Sequence, residues 1–141
     1  MLLIMLLKIL LKMLSKDNAI IIVDKYLDNL INFLSTKDYN ILLKIEDDIS
    51  YIMGLIGYYE LTEQLKKIYY NPQIQSYYAY SNIYFETILM AVLKKNNKIL
   101  DILKEYNINF DENQYIQIIN EQLKFNSDIK KFIVKISSFL E

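Results

Sequence analysis

Residues 38–67 read DYNILLKIEDDISYIMGLIGYYELTEQLKK. Leu42, Ile45, Ile49, Ile52 and Ile56 recur every three or four residues, which lays one apolar stripe along an α-helix. A half-buried strand would alternate with period two, and no run of useful length does so anywhere in the chain. The stretch predicts one continuous helix of about eighteen residues, opened by Asp38 as N-cap and running through Glu46, Asp47 and Asp48. Gly57 is the expected terminus or hinge. Beyond it Leu61, Leu65 and Ile68 continue a helical stripe, with Glu63 and Lys67 placed to pair one turn apart.

The same spacing extends outward in both directions. Upstream, Asp17 is the expected cap of a helix carrying Ile20, Val23, Leu27, Leu30, Ile31 and Leu34, which Ser35–Asp38 closes. Downstream, Asn71–Pro72 ends the preceding helix, because proline disfavours helical geometry in the residue before it. Ser81 is the expected cap for a helix with Phe85, Ile88, Leu89 and Val92, and Asn96–Asn97 for the left-handed residue that closes it. A short helix over 98–106 stops at Asn107. Asp111 then caps a helix carrying Ile116, Ile119 and Leu123, and Ser127 opens a last one with Ile129, Phe132, Ile133, Ile136 and Leu140. The fold class is therefore all-α, about seven or eight helices in a compact bundle or a short stack of helical hairpins.

The chain opens MLLIMLLKILLKMLSKD. Lys8, Lys12 and Lys16 form one narrow polar stripe on an otherwise apolar helix. A transmembrane span needs roughly twenty apolar residues, and this run is shorter and carries lysines inside it. A signal peptide carries its charge before the apolar run, whereas here lysines interrupt and follow it. Two readings remain, besides a processed segment. The helix packs into the fold or a partner through Leu3, Leu7, Leu10 and Leu14, or the same face lies in a membrane interface. The expected organisation is an apolar helix over 1–16 and a single helical domain over 17–141.

Composition excludes more than it assigns. The 141 residues contain no His, Cys or Trp, and all sixteen cations are Lys. Without His and Cys there is no ordinary zinc site, no Ser–His or Cys–His nucleophile and no near-neutral imidazole base. Without Arg there is no bidentate clamp on phosphate. Two glycines, Gly54 and Gly57, are too few for a phosphate-binding loop. Carboxylates remain: Glu46–Asp47–Asp48, Asp24 with Asp28, and Asp101 with Glu105. Their spacing matches solvated helix faces better than a metal site, which draws ligands from several facing helices. No enzyme, cofactor or metal is expected. The heavy use of Ile, Lys, Asn and Tyr is the imprint of AT-rich coding, as in a large DNA virus or a low-GC bacterium. A net charge of −1 provides no field that would steer the chain toward nucleic acid.

Residues 69–85, YYNPQIQSYYAYSNIYF, hold six of the thirteen tyrosines and no charge. Nucleic-acid platforms interleave aromatic rings with Lys or Arg to meet phosphates, and this stretch has neither. Tyrosine at protein interfaces supplies apolar area and one hydrogen bond at low entropic cost. Asn71 to Tyr80 reads as an exposed polar loop, with Tyr69, Tyr70, Tyr84 and Phe85 as flanking core residues. Tyr77, Tyr78 and Tyr80 are then the expected contact residues.

TILMAVLKKNNKILDILKEYNINFD, from Thr87 to Asp111, resembles one unit of an ankyrin repeat. The likeness lies in the T-x-L-M opening, the paired-Asn turn, the ILDILKEY helix and the N-I-N tail. The turn is one residue short, and Asn107 stands where the family has glycine. Gly54–Lys67, read through Asn71–Pro72, resembles the second helix of a tetratricopeptide unit. Both families imply helical hairpins that bind protein rather than catalyse. The functional expectation is a non-enzymatic interaction module acting on a protein partner or on itself, in the cytoplasm. The alternative is a peripheral membrane protein that inserts residues 1–16.

Overall fold

The computed structural model describes residues 14–45 and 48–140. The all-α expectation holds: these residues form eight helices and no strand. In chain order they are α1 (Lys16–Thr36), α2 (Tyr39–Leu42), α3 (Ile49–Tyr59), α4 (Thr62–Tyr69), α5 (Pro72–Tyr77), α6 (Phe85–Lys94), α7 (Asn97–Glu105) and α8 (Glu112–Leu140). The chain divides into two compact units between Asn109 and Phe110, so that α1–α7 belong to the first and α8 to the second.

The first unit is organised around α3. Seven successive residues of this helix, Tyr51 to Gly57, are buried, so it is surrounded on all sides rather than amphipathic. Its closest neighbour is α6, with α1 and α4 also packed on it. Gly57 makes the α3–α6 approach possible, because a methyl group there would run into the Thr87 backbone carbonyl. The buried Thr87 hydroxyl donates to the Met53 carbonyl at 2.7 Å, and the Asn96 amide donates to both Gly57 and Tyr58 carbonyls at 2.8 Å. These bonds satisfy polar groups that would otherwise be buried without partners. Helix α1 lays Ala19, Val23, Tyr26, Leu27, Leu30, Phe33 and Leu34 against this core.

Caps explain where the helices differ from expectation. Ser15, not Asp17, caps α1 by accepting from the Asn18 N–H at 3.1 Å; Asp17 lies in the first turn, where the helix dipole favours an acid. Asp38 caps α2 as expected, accepting from Asn40 at 3.0 Å, but α2 is a single turn. The predicted helix through the acidic run is broken, because Asp48 accepts the Tyr51 N–H at 2.9 Å and starts α3 afresh. An aspartate that captures a nearby N–H competes with continuation of the helix, and the unbroken apolar spacing conceals that competition. Gly57 is neither terminus nor hinge: α3 runs on to Tyr59 and closes at left-handed Glu60.

Farther along, α4 ends at Tyr69, just before Asn71–Pro72 as expected, and Asn71 in turn caps α5 through the Ile74 N–H, with Pro72 in the first turn where a missing N–H costs least. The expected loop 71–80 is thus helical up to Tyr77. Ser81 does not cap α6, which starts only at Phe85 and has no side-chain cap. Lys95, not Asn96 or Asn97, takes the left-handed conformation (φ 57°), leaving the Asn96 amide for α3. Glu63 pairs with Lys66 at 3.5 Å, while Lys67 reaches Asp24 of α1 at 3.6 Å. In the second unit, Asp111 accepts from the Asn113 N–H as a cap should, and α8 then runs unbroken past Ser127 for 29 residues. Ser127 therefore opens no new helix, although the sequence suggested that it would.

Candidate functional site

The tyrosines of the conspicuous run take part in two separate surface clusters in the first unit. One is assembled from the end of α1, the start of α2 and the end of α5. Tyr77, the last residue of α5, meets Phe33 edge-on at 6.2 Å between ring centroids, and Phe33 meets Tyr39 edge-on at 5.6 Å. Phe33 is buried beneath, whereas Tyr39 keeps 72% and Tyr77 51% of its surface exposed. Beside them a cleft of about 350 Å³ is lined by Leu34, Lys37, Pro72, Gln73, Ser76 and Tyr77. Lys37, in left-handed conformation at the end of α1, is the only charged residue among those lining it.

Tyr78 differs from its neighbour. It is half-buried, packs edge-on against Tyr77 at 4.8 Å, and its hydroxyl lies 3.1 Å from that of buried Tyr26. Burial raises the Tyr26 pKa far above the ordinary phenol range, and the hydrogen bond to Tyr78 adds to the effect. Burial raises Tyr78 as well. Both hydroxyls therefore stay protonated and bind the end of α5 to the middle of α1. Tyr80 is fully exposed in the turn after α5 and has no ring contact with Tyr77 or Tyr78 among those described.

The second cluster joins the ends of α4 and α7. Tyr69 and Tyr106 stack face to face, 3.7 Å between centroids and 2° from parallel, with Tyr70 edge-on to both. Desolvation pushes the Tyr106 pKa up to about 12, reinforced by Tyr70. The expectation that Tyr69, Tyr70, Tyr84 and Phe85 are core residues is corrected here: Tyr70 is exposed and the other three are only partly buried. Ile68 takes the inward position on α4, so the two residues after it fall toward the surface. Tyr84 is held by its hydroxyl, 3.0 Å from the Gln75 amide.

Of the residues singled out in the sequence, Tyr77 and Tyr78 are brought together, while Tyr80 stands apart. Phe33 and Tyr39 join Tyr77 from about forty residues upstream, and no spacing rule could connect them. A weak local signal did exist for Tyr39, which follows the Asp38 cap and therefore starts a helix at the surface. Leu3, Leu7 and Leu10 lie outside the described residues, as do Glu46 and Asp47. Leu14 is partly buried, and its carbonyl accepts from the Tyr59 hydroxyl at 2.7 Å.

The carboxylates are spread out. Asp24 accepts from the Gln64 amide at 3.2 Å and faces Lys67, which ties α1 to α4. Among the described residues no group of three or more acidic side chains is placed to hold a metal ion, and no helix is long and apolar enough to cross a membrane. No family model, curated protein or solved structure matches the chain.

Proposed function

We propose that the protein is a non-enzymatic interaction domain whose first unit binds a protein partner through the aromatic surface of Phe33, Tyr39 and Tyr77. One observation carries this reading. Two exposed rings flank a buried third, edge-on, beside an open cleft that is uncharged except for Lys37. Rings held by their neighbours lose little entropy on binding, which is why tyrosine concentrates interface energy in a few positions. Tyr78 takes the role of a support, since its hydroxyl bond to Tyr26 fixes the end of α5 from which Tyr77 projects. The helix pair α6–α7 carries the ankyrin-like stretch, joined by only Lys95 and Asn96, which fits an interaction module.

The test is affinity capture with full-length protein, comparing wild type with Tyr39→Ala/Tyr77→Ala. The double variant should keep its helical circular dichroism and melting midpoint, and lose the specifically captured partner. Each truncation of an interface tyrosine should weaken binding by about 1–3 kcal/mol. Full capture by a folded double variant sinks the proposal.

A further inference from the structure

The second tyrosine cluster shares no residue with the surface of Phe33, Tyr39 and Tyr77. Tyr69 is the last residue of α4, and Tyr106 follows the last residue of α7. Their rings lie 3.7 Å apart between centroids and 2° from parallel. That separation is carbon–carbon contact across the faces of both rings. Other tyrosine pairs meet edge-on: Tyr58–Tyr59 at 65°, Tyr69–Tyr70 at 79° and Tyr77–Tyr78 at 85°.

The difference matters for one-electron chemistry. Oxidation of a phenol removes one electron and the hydroxyl proton, and the unpaired spin spreads to the ring carbons ortho to oxygen. Two such radicals couple when an ortho carbon of one meets an ortho carbon of the other. The new bond grows from π lobes, which stand perpendicular to the rings. Stacked rings present these lobes to each other, whereas an edge-on ring presents its C–H rim. Of the four pairs, Tyr69–Tyr106 is the one aligned for coupling.

The usual competitors for a radical are absent or shielded. The chain has no Cys and no Trp, and Met53 and Met90 are fully buried. Tyr69 and Tyr106 are each partly exposed, and Tyr70 beside them keeps 68% of its surface open, so a small oxidant reaches the cluster.

We propose that Tyr69 and Tyr106 form an oxidative cross-linking site, joined as dityrosine by a peroxidase-class oxidant supplied with hydrogen peroxide. Each phenol loses one electron and one proton, and a carbon–carbon bond forms between the two ortho carbons. The hydrogen on each of these carbons then leaves as a proton while each oxygen regains one. In balance, two electrons and two protons pass to hydrogen peroxide, whose O–O bond breaks to give two waters. The product ties the end of α4 to the end of α7 and closes a loop containing α5 and α6. In a chain without cysteine it restrains the unfolded state as a disulfide would.

The test treats dilute full-length protein with a haem peroxidase and hydrogen peroxide, read by dityrosine fluorescence and peptide mass. Cleavage after lysine should release residues 68–94 and 105–124 as one species, lighter than their sum by two hydrogen atoms. Fragmentation should place the link at Tyr69 and Tyr106. Tyr69→Phe and Tyr106→Phe keep a ring in the stack but have no hydroxyl to oxidise, so each should abolish this species with unchanged circular dichroism. Tyr70→Phe should retain it. Oxidised wild type should melt at a higher temperature than untreated protein, and Tyr106→Phe treated alike should not.

A link between these peptides that is as abundant in folded Tyr69→Phe as in wild type moves the chemistry to another ring and overturns the pairing. Dityrosine found solely between chains, through fully exposed Tyr80, overturns the site. Absence of the linked species from oxidised wild type does the same.

Discussion

Helix α3 has 11 residues, seven of them buried in succession, whereas α8 has 29 and buries only Tyr115 and Ile119 among its described side chains. The shorter helix holds the first unit together, and the longer one leaves most of its described side chains exposed. Both carry apolar stripes at helical spacing, so the stripe alone does not say which helix is a core. What separates them is contact at the backbone. α3 carries a glycine where α6 crosses and receives side-chain hydrogen bonds on its carbonyls, while the apolar residues of α8 stand on a helix face. Apolar area is stabilising only when something covers it, and α3 is covered within its own unit.

The sharpest way to break that comparison is Gly57→Ala. Helix propensity favours alanine by about 1 kcal/mol. Against this, the new methyl meets Thr87 backbone rather than a yielding side chain, so the α3–α6 approach must open. A net loss of at least about 3 kcal/mol is expected in urea unfolding, at the upper end of overpacking. A neutral result would mean that the crossing is not the fixed point of the fold.

Ile56→Ala should follow at about 2–5 kcal/mol, because its side chain is fully buried. The matching change in α8, Ile136→Ala, should cost under about 0.5 kcal/mol when unfolding is measured on dilute protein. Equal effects in the two helices would erase the distinction between them. Thr87→Val keeps the shape and deletes the hydroxyl that bonds the Met53 carbonyl, which keeps its place in the helical ladder of α3; about 0.5–1.5 kcal/mol should be lost.

The smallest effect concerns Glu86 in the first turn of α6. Burial raises its pKa, opposed by hydrogen bonds that include Ser50 and assisted by repulsion from Asp48. The folded state then holds this proton more tightly than the unfolded state. The contribution of Glu86 is most favourable below its unfolded pKa and is lost as pH rises through the folded one. Glu86→Gln should therefore stabilise the protein at pH 7, by less than about 1 kcal/mol because the side chain is only partly buried. The gain should vanish on acidification through the carboxylate range. A variant less stable than wild type at pH 7 would show that the hydrogen bonds outweigh desolvation.

Much of the fold was legible because helices announce themselves locally. The apolar spacing located α1, α3, α4, α6 and α7 though not α5, and Asp38 and Asp111 are caps as the sequence implies. Misreadings fell where two local rules compete. At Asp48 capping defeated a continuous stripe, and at Ser127 a residue suited to capping lies inside one unbroken helix. Lys95 took a left-handed conformation that the adjacent asparagines were suited to, because Asn96 was engaged by Gly57 and Tyr58. The aromatic surface was half legible: Tyr77 lay in a conspicuous run, but its companions Phe33 and Tyr39 did not.

The sequence by itself determined the helical class and the absence of imidazole and thiol chemistry. Both depend on residue type and on spacing within a few turns. Only the tertiary structure decided that Gly57 is a crossing point rather than a hinge, that Tyr78 supports while Tyr77 projects, and that Tyr39 shares a surface with Tyr77. Those facts depend on which helix faces which. That choice is made by the packing of residues forty positions apart, and it leaves no periodic trace in the chain.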